Sequence, residues 1–269
     1  MRTIKKVASH IFIDGFGGMT QGLFATLIIG TMIQQIGLLI GGSTGNVIYL
    51  LGKAAAALTS AGIGVGVAVK YGESPLVTVS AAVAAMVGGY AGKITGGTFF
   101  VDGNAVLAGP GEPLGAFIAA FAGITCGHLV SGKTKVDIIV TPVITIGAGS
   151  VVGLLVGPPI SQMMTGLGSI INWATEQRPF IMGIVVSVVM GMVLTLPISS
   201  AALGIILNLS GLAAGAATIG CCCNMVGFAV ASYRENKFGG LVAQGLGTSM
   251  LQVPNIMRHP LIWLCLLYT

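Results

Sequence analysis

The sequence predicts an all-α, polytopic integral membrane protein: a helical bundle interrupted by re-entrant or broken segments. Three observations carry that prediction. Of 269 residues, 54% are hydrophobic and only 7% charged, with a mean hydropathy of +0.97. A soluble domain of this size cannot cover so much apolar surface with so few charges, whereas lipid accepts apolar faces directly. Apolar stretches long enough to cross a bilayer recur along the whole chain. The 43 glycines put small residues on helix faces, as in GIGVG (62–66), MVGGYAG (86–92) and IGAGSVVG (146–153), where they let backbones approach closely.

The elements follow in order. Residues 22–41 (GLFATLIIGTMIQQIGLLIG) span a hydrocarbon core of ~30 Å at ~1.5 Å per residue. Six further spans are expected at 46–69, 75–92, 114–131, 137–157, 180–207 and 211–231. Between the fifth and sixth, PPISQMMTGLGSIINWATEQR (158–178) opens on Pro158 and Pro159 and is amphipathic, which suits a re-entrant or interfacial segment. All of these elements are expected to form a single transmembrane domain, 1–269. The last residues, PNIMRHPLIWLCLLYT, begin another hydrophobic segment and stop before it could span, so the chain is expected to be truncated at its C-terminus. No cleavable signal peptide is expected, because the basic N-terminus has no apolar core before its glycines.

Charge placement orients the spans. Arg2, Lys5 and Lys6 precede the first, Lys70 follows the second, and Lys133 with Lys135 follows the fourth, which places these ends and the N-terminus in the cytoplasm. Conventional spans alone would leave Arg234 and Lys237 outside. If 158–177 also carries the chain across, Arg178, Arg234 and Lys237 all return inside, and that is the version favoured here. A faint echo, FGGMTQGLFAT (16–26) against FGGLVAQGLGT (238–248), reflects either duplicated halves or chance in a glycine-rich chain.

One stretch stands apart. Residues 93–113 (KITGGTFFVDGNAVLAGPGEP) hold too many glycines and prolines for a regular helix and are too apolar for a solvated loop. Irregular backbone at membrane depth survives only where protein or water satisfies its polar groups, so this segment is expected to line a cavity. Glu112 either caps the following helix or contacts a substrate. Asp102 and Asn104 are weaker candidates, since DGN commonly forms a turn. His128, one turn before Lys133, is interfacial or binds sugar or a proton. Asn208 and Asn224 hydrogen-bond a neighbouring helix or a ligand. Gln21, Gln34, Gln35, Gln244 and Gln252 add neutral hydrogen-bonding groups that suit a hydroxyl-rich ligand.

Several chemistries find no residues to carry them. Cys126 and the run Cys221, Cys222, Cys223 fall inside apolar segments with no CxxC or Cys/His pair, so buried small residues are expected. No cluster offers three or four convergent metal ligands. The net charge of +5 comes from scattered membrane-flanking lysines and arginines, with no basic patch for nucleic acid. Nucleophile elbows, zinc-helix motifs, phosphate-cradling loops and paired carboxylates are absent from the sequence. No catalytic residue and no cofactor are expected.

The stretches TSAGIGVGVAVKY (59–71), TGGTFFVDGNAVLAGPGEPLGAFIAA (95–120), SGKTKVDIIVTPV (131–143) and SYRENKFGGLVAQGLGTSMLQVPNIMRHP (232–260) resemble the membrane IIC component of the phosphoenolpyruvate-dependent sugar phosphotransferase system, in the branch that includes perfringolysin O regulator-like proteins. The resemblance implies a bacterial inner-membrane permease, usually a homodimer, that binds a sugar and presents it to cytoplasmic IIA and IIB components. In better understood relatives a glutamate on a re-entrant loop and a histidine hold sugar hydroxyls. Glu112 within GPGEP matches the first in setting, and His128 matches the second loosely. The sequence has no phosphorylatable soluble module, so the phosphoryl donor would be a partner. The rival reading is a membrane regulator or sensor that keeps the fold without transport.

Overall fold

The computed structural model describes residues 14–101, 103–107, 109–195, 211–259 and 261–262. The chain forms two compact units, residues 1–161 and 162–269. Helices dominate both, and a single two-stranded hairpin is present among the described residues.

In the first unit, α1 (Phe16–Leu23) passes through a π-helical turn (Phe24–Ile28) into α2 (Ile29–Ile40). After Gly41, the helix α3 (Gly42–Ala57) returns alongside α2, and α4 (Thr59–Lys70) continues from it with a 53° bend at Leu58. Then follow α5 (Pro75–Gly89), the short α6 (Ala91–Thr95), the hairpin β1 (Phe100–Val101) and β2 (Asn104–Ala105), and α7 (Pro113–Val130). Two of these helices begin where local chemistry dictates: Ser74 accepts a hydrogen bond from the Val77 amide with Pro75 at the first helical position, and Pro113 opens α7 in the same way.

Glycine seams hold the unit together. A Cβ on Gly22 would lie 2.2 Å from the carbonyl oxygen of Gly62, and one on Gly66 2.3 Å from that of Gly18, so α1 and α4 touch backbone to backbone. Gly88 of α5 meets Gly115 and Ala119 of α7 in the same manner, and Gly37 and Gly45 join α2 to α3. Leu39, Leu51, Val79, Leu129 and Ile138 point outward. That arrangement suits a membrane, where small residues pack helices and large apolar ones face lipid.

Among the described residues, four helical stretches are long and apolar enough to cross: Phe16–Ile40, Pro113–Val130, Asp137–Met163 and Leu212–Ala231. The bent pair α3 and α4 makes a fifth if it is one span. Of the seven expected spans, the one at 180–207 lies in part outside the described residues, which end at Thr195 there. Pro75–Gly89 is apolar but ends three residues early, where Tyr90 leaves helical geometry. The expected break after residue 157 does not occur either. α8 (Asp137–Gln177) runs unbroken for 41 residues with Pro142, Pro158 and Pro159 inside it. A proline removes one ladder hydrogen bond and bends a helix, which membrane helices tolerate.

The second unit contains α9 (Pro179–Thr195), α10 (Gly211–Ala231), α11 (Tyr233–Val242, kinked at Lys237), a π-helical turn (Ala243–Gly247), a 3-10 turn (Ser249–Gln252) and α12 (Val253–Arg258). Gly183 faces Ala216, Gly220 abuts Ser187, and Gly191 faces Gly220 and Asn224. Both numbers rise together, so α9 and α10 are parallel. Arg178, at the start of α9, and Arg234, just past the end of α10, thus lie at opposite ends of the pair. This corrects the expectation that they share one side with Lys237. Both copies of the sequence echo run from an α-helix into a π-helical turn, at Phe24–Ile28 and at Ala243–Gly247.

Candidate functional site

The segment after α5 is irregular, as its glycines and prolines require. The chain turns at Gly97, with the Thr98 and Phe99 amides donating to the Lys93 carbonyl at 2.9 and 3.1 Å. β1 and β2 pair Phe100 with Ala105 and Val101 with Asn104. Asn104 therefore closes an exposed hairpin, the turn role its sequence favours. Asp102 lies outside the described residues. The Val106 amide then donates to the Phe99 carbonyl, and Gly109 and Gly111, both at positive φ, bend the chain before the extended Glu112.

Three groups stitch residues 109–112 into the unit. Tyr90, 1% exposed, places its hydroxyl between the carbonyl oxygens of Gly109 and of Ala57, the latter at 3.2 Å. Ala57 is the last residue of α3, and helix ends leave carbonyls without partners in their own helix. Fully buried Ser60, just past the bend, donates to the Pro110 carbonyl at 3.0 Å. The Glu112 amide donates to the Gly89 carbonyl at 2.7 Å. Gly111, at φ +76°, is the residue that permits this approach, since a Cβ there would meet Ser60 Oγ at 2.5 Å. Tyr90→Phe should leave one of the two carbonyls buried and unmatched, destabilising the protein by about 1–3 kcal/mol. Faster amide hydrogen exchange in 106–112 would report it; unchanged exchange there would contradict the assignment.

These contacts set Glu112 between the α3/α4 bend, the end of α5 and the start of α7. Glu112 is half-buried, and its Oε1 is fully buried with no hydrogen-bond partner. The Leu114 amide, at the start of α7, interacts with the carboxylate, while Oε1 is left without a partner. Sequestering a carboxylate oxygen from water with nothing to replace it is costly. Around the loop, Phe99 packs on Tyr90 with ring centroids 5.3 Å apart, and the Lys93 ammonium sits 5.4 Å above the Tyr90 ring.

The other candidates lie elsewhere. His128 is in the last turn of α7 and Glu112 at its start, about 24 Å apart along the helix. Its Nδ1 pairs instead with Glu73 Oε1 at 3.0 Å, while Ser74 and Ser131 hydroxyls meet at 3.0 Å, joining the α4/α5 and α7/α8 loops. No single ligand of sugar size reaches both His128 and Glu112. Gln244, 3% exposed, donates to Ser232 Oγ at 2.9 Å and accepts from Gln252 at 3.0 Å, which accepts from Asn255 at 2.8 Å. It belongs to an internal relay. Asn224 is half-buried on α10, and its Oδ1 is buried with no partner. Asn208 lies outside the described residues. The sequence reading overlooked Ser249, whose fully buried Oγ also has no partner. Cys221 is half-buried with its thiol toward the Met190 carbonyl, but Cys222 and Cys223 are exposed, contrary to expectation. Among the described residues no group of His, Cys, Asp or Glu could hold a metal ion.

Apolar helices long enough to cross, a buried chain break and a sequestered acid define a multi-pass membrane protein with a polar break inside its bundle. The family model described as Phosphotransferase system, EIIC matches residues 13–269, and the chain belongs to that family, the sugar-specific permease component of the phosphotransferase system. No curated protein and no solved structure matches the chain.

Proposed function

We propose that this chain binds a sugar at the 109–113 break and presents it to a separate cytoplasmic IIB partner for phosphorylation. The observation that carries the reading is the buried, partnerless Oε1 of Glu112 on a non-helical segment between helices. A carboxylate there accepts hydrogen bonds from sugar hydroxyls, and charge-assisted bonds are roughly twice as strong as neutral ones. In the phosphoryl step the sugar hydroxyl oxygen attacks the phosphorus carried by the partner, the partner's bond to phosphorus breaks, and the hydroxyl proton leaves. The chain's share is binding and orientation. The same reading includes a homodimer in a bacterial inner membrane with a cytoplasmic N-terminus, in the branch with the perfringolysin O regulator-like proteins.

Deleting the gene should abolish phosphorylation-linked uptake of one sugar, measured with a labelled panel in whole cells. Uptake that is unchanged for every sugar, together with altered transcription of a target gene, would instead identify a membrane regulator with the same fold.

A further inference from the structure

The helical hairpin of α2 and α3 has two unlike sides. Glycines fix its seam: a Cβ on Gly30 would meet the Gly52 oxygen and the Ala56 nitrogen at 2.8 Å, one on Gly37 the Gly45 oxygen at 2.7 Å and the Tyr49 nitrogen at 2.5 Å, and one on Gly52 the Gln34 nitrogen at 2.6 Å. Each residue that follows a seam position is turned about 100° round its helix. Because the helices run antiparallel, the followers from both fall on the same side of the hairpin. That side carries Thr31, Gln35 and Leu38 from α2, and Asn46, Leu50 and Lys53 from α3. The residues preceding the seam form the other side, Ile33, Ile36 and Ile40 with Ile48 and Leu51, which is apolar but for Thr44 next to the turn. Gln35, Asn46 and Lys53 are exposed, and their side chains have no hydrogen bond or ion pair among the described residues.

Lipid does not suit the first side. α2 belongs to the span Phe16–Ile40, and α3 runs back beside it. Lys53 lies about 16 Å along α3 from Gly42, near the middle of a hydrocarbon core of ~30 Å. An ammonium at that depth is costly against acyl chains, and headgroups at either surface are beyond the reach of its side chain. The carboxamides of Gln35 and Asn46 find no partner in acyl chains either. A second copy of the chain supplies what is missing. A two-fold axis along the membrane normal lays α3 of each copy over α2 of the other. The seam sets Gln35 at a depth between Asn46 and Lys53, so its carboxamide oxygen accepts from the Lys53 ammonium of the other copy while its nitrogen donates to the Asn46 oxygen there. We infer that the Gln35/Asn46/Lys53 side of the α2–α3 hairpin is the surface through which two copies of this chain pair in the membrane. The inference rests on the homodimer in the reading above and supplies its interface.

Photo-crosslinking of the full chain in native membranes tests it, with p-benzoyl-L-phenylalanine placed at Leu50 or at Leu51. These adjacent residues are 52% and 62% exposed and lie on opposite sides of the hairpin. Irradiation should join two differently tagged copies through position 50 and not through position 51. Subunit counting by single-molecule photobleaching in liposomes should find dimers. Lys53→Met and Gln35→Leu should each weaken the pairing by about tenfold or more, since each removes two symmetry-related interhelical contacts, whereas Ile36→Ala on the opposite side should leave it unchanged. Absence of an intermolecular product from position 50, or undiminished pairing in both polar variants, overturns the inference and leaves the homodimer standing. A monomeric wild type overturns the homodimer as well, and uptake of one sugar by that monomer would still keep the transport reading.

Discussion

Glu112→Gln should lose sugar binding by roughly 10- to 100-fold, the range expected when a hydrogen bond to a charged group is replaced by one to a neutral isostere. The fully buried Oε1 has no partner inside the protein, and a glutamine keeps a carbonyl oxygen for the Leu114 amide. Thermal stability should therefore stay at the wild-type level or rise. A helix-capping carboxylate would behave oppositely: replacing it would lower stability by a few tenths to about 1 kcal/mol and leave binding alone. His128→Ala, about 24 Å away along α7, is the internal control. Its imidazole is largely exposed and pairs with Glu73, so its loss should cost at most about 1 kcal/mol with sugar affinity unchanged. Binding titrations and melting curves on the same preparations separate these outcomes.

The second large effect concerns packing. Gly22→Val should prevent the first unit from assembling, because a Cβ at this position would lie 2.2 Å from the carbonyl oxygen and 2.5 Å from the carbonyl carbon of Gly62, and 2.8 Å from the Ile63 Cα. These are backbone atoms of α4 and cannot rotate away, so the helices must separate. Overpacking by even one methyl typically costs about 1–3 kcal/mol, and valine adds two more carbons. The variant should leave the monodisperse peak in size-exclusion chromatography and melt well below wild type. Gly147→Ala, inside α8 with nothing within 4 Å of the added carbon, should be neutral or stabilising by up to about 1 kcal/mol. Equal behaviour of the two variants would show that the close approach of α1 and α4 is not what holds the unit together.

The membrane class and the unusual segment were both legible in the sequence, for a common reason: each is written in local chemistry. Pro113 at the head of an unbroken apolar run marks α7, and Gly103, Gly109 and Gly111 interrupt a segment whose neighbours are purely helical. Features set by tertiary contact were not legible. Leu58 lies between Ala57 and Thr59 with neither proline nor glycine beside it, yet the chain bends there by 53° and Tyr90 and Ser60 bridge the bend to the loop. Pro158 and Pro159 read as a break, but the helix continues past them. The parallel pairing of α9 and α10 depends on Gly220 abutting Ser187, a register no sequence period announces. Ser249 was invisible for the same reason: its hydroxyl is ordinary in sequence, and only the extended Thr248 deprives it of an acceptor. His128 drew attention as a lone histidine in an apolar run, and its loop neighbour Glu73, 55 residues away, accounts for it.

Carbodiimide labelling of the wild-type chain tests the central claim most directly. Dicyclohexylcarbodiimide is apolar and modifies carboxyl groups sequestered from water, and peptide mass spectrometry reads the modified position. With Glu112 facing a ligand, label should accumulate there, and the sugar that the protein binds should suppress it in proportion to occupancy. Labelling of Glu112 that is identical with and without saturating sugar would contradict the account.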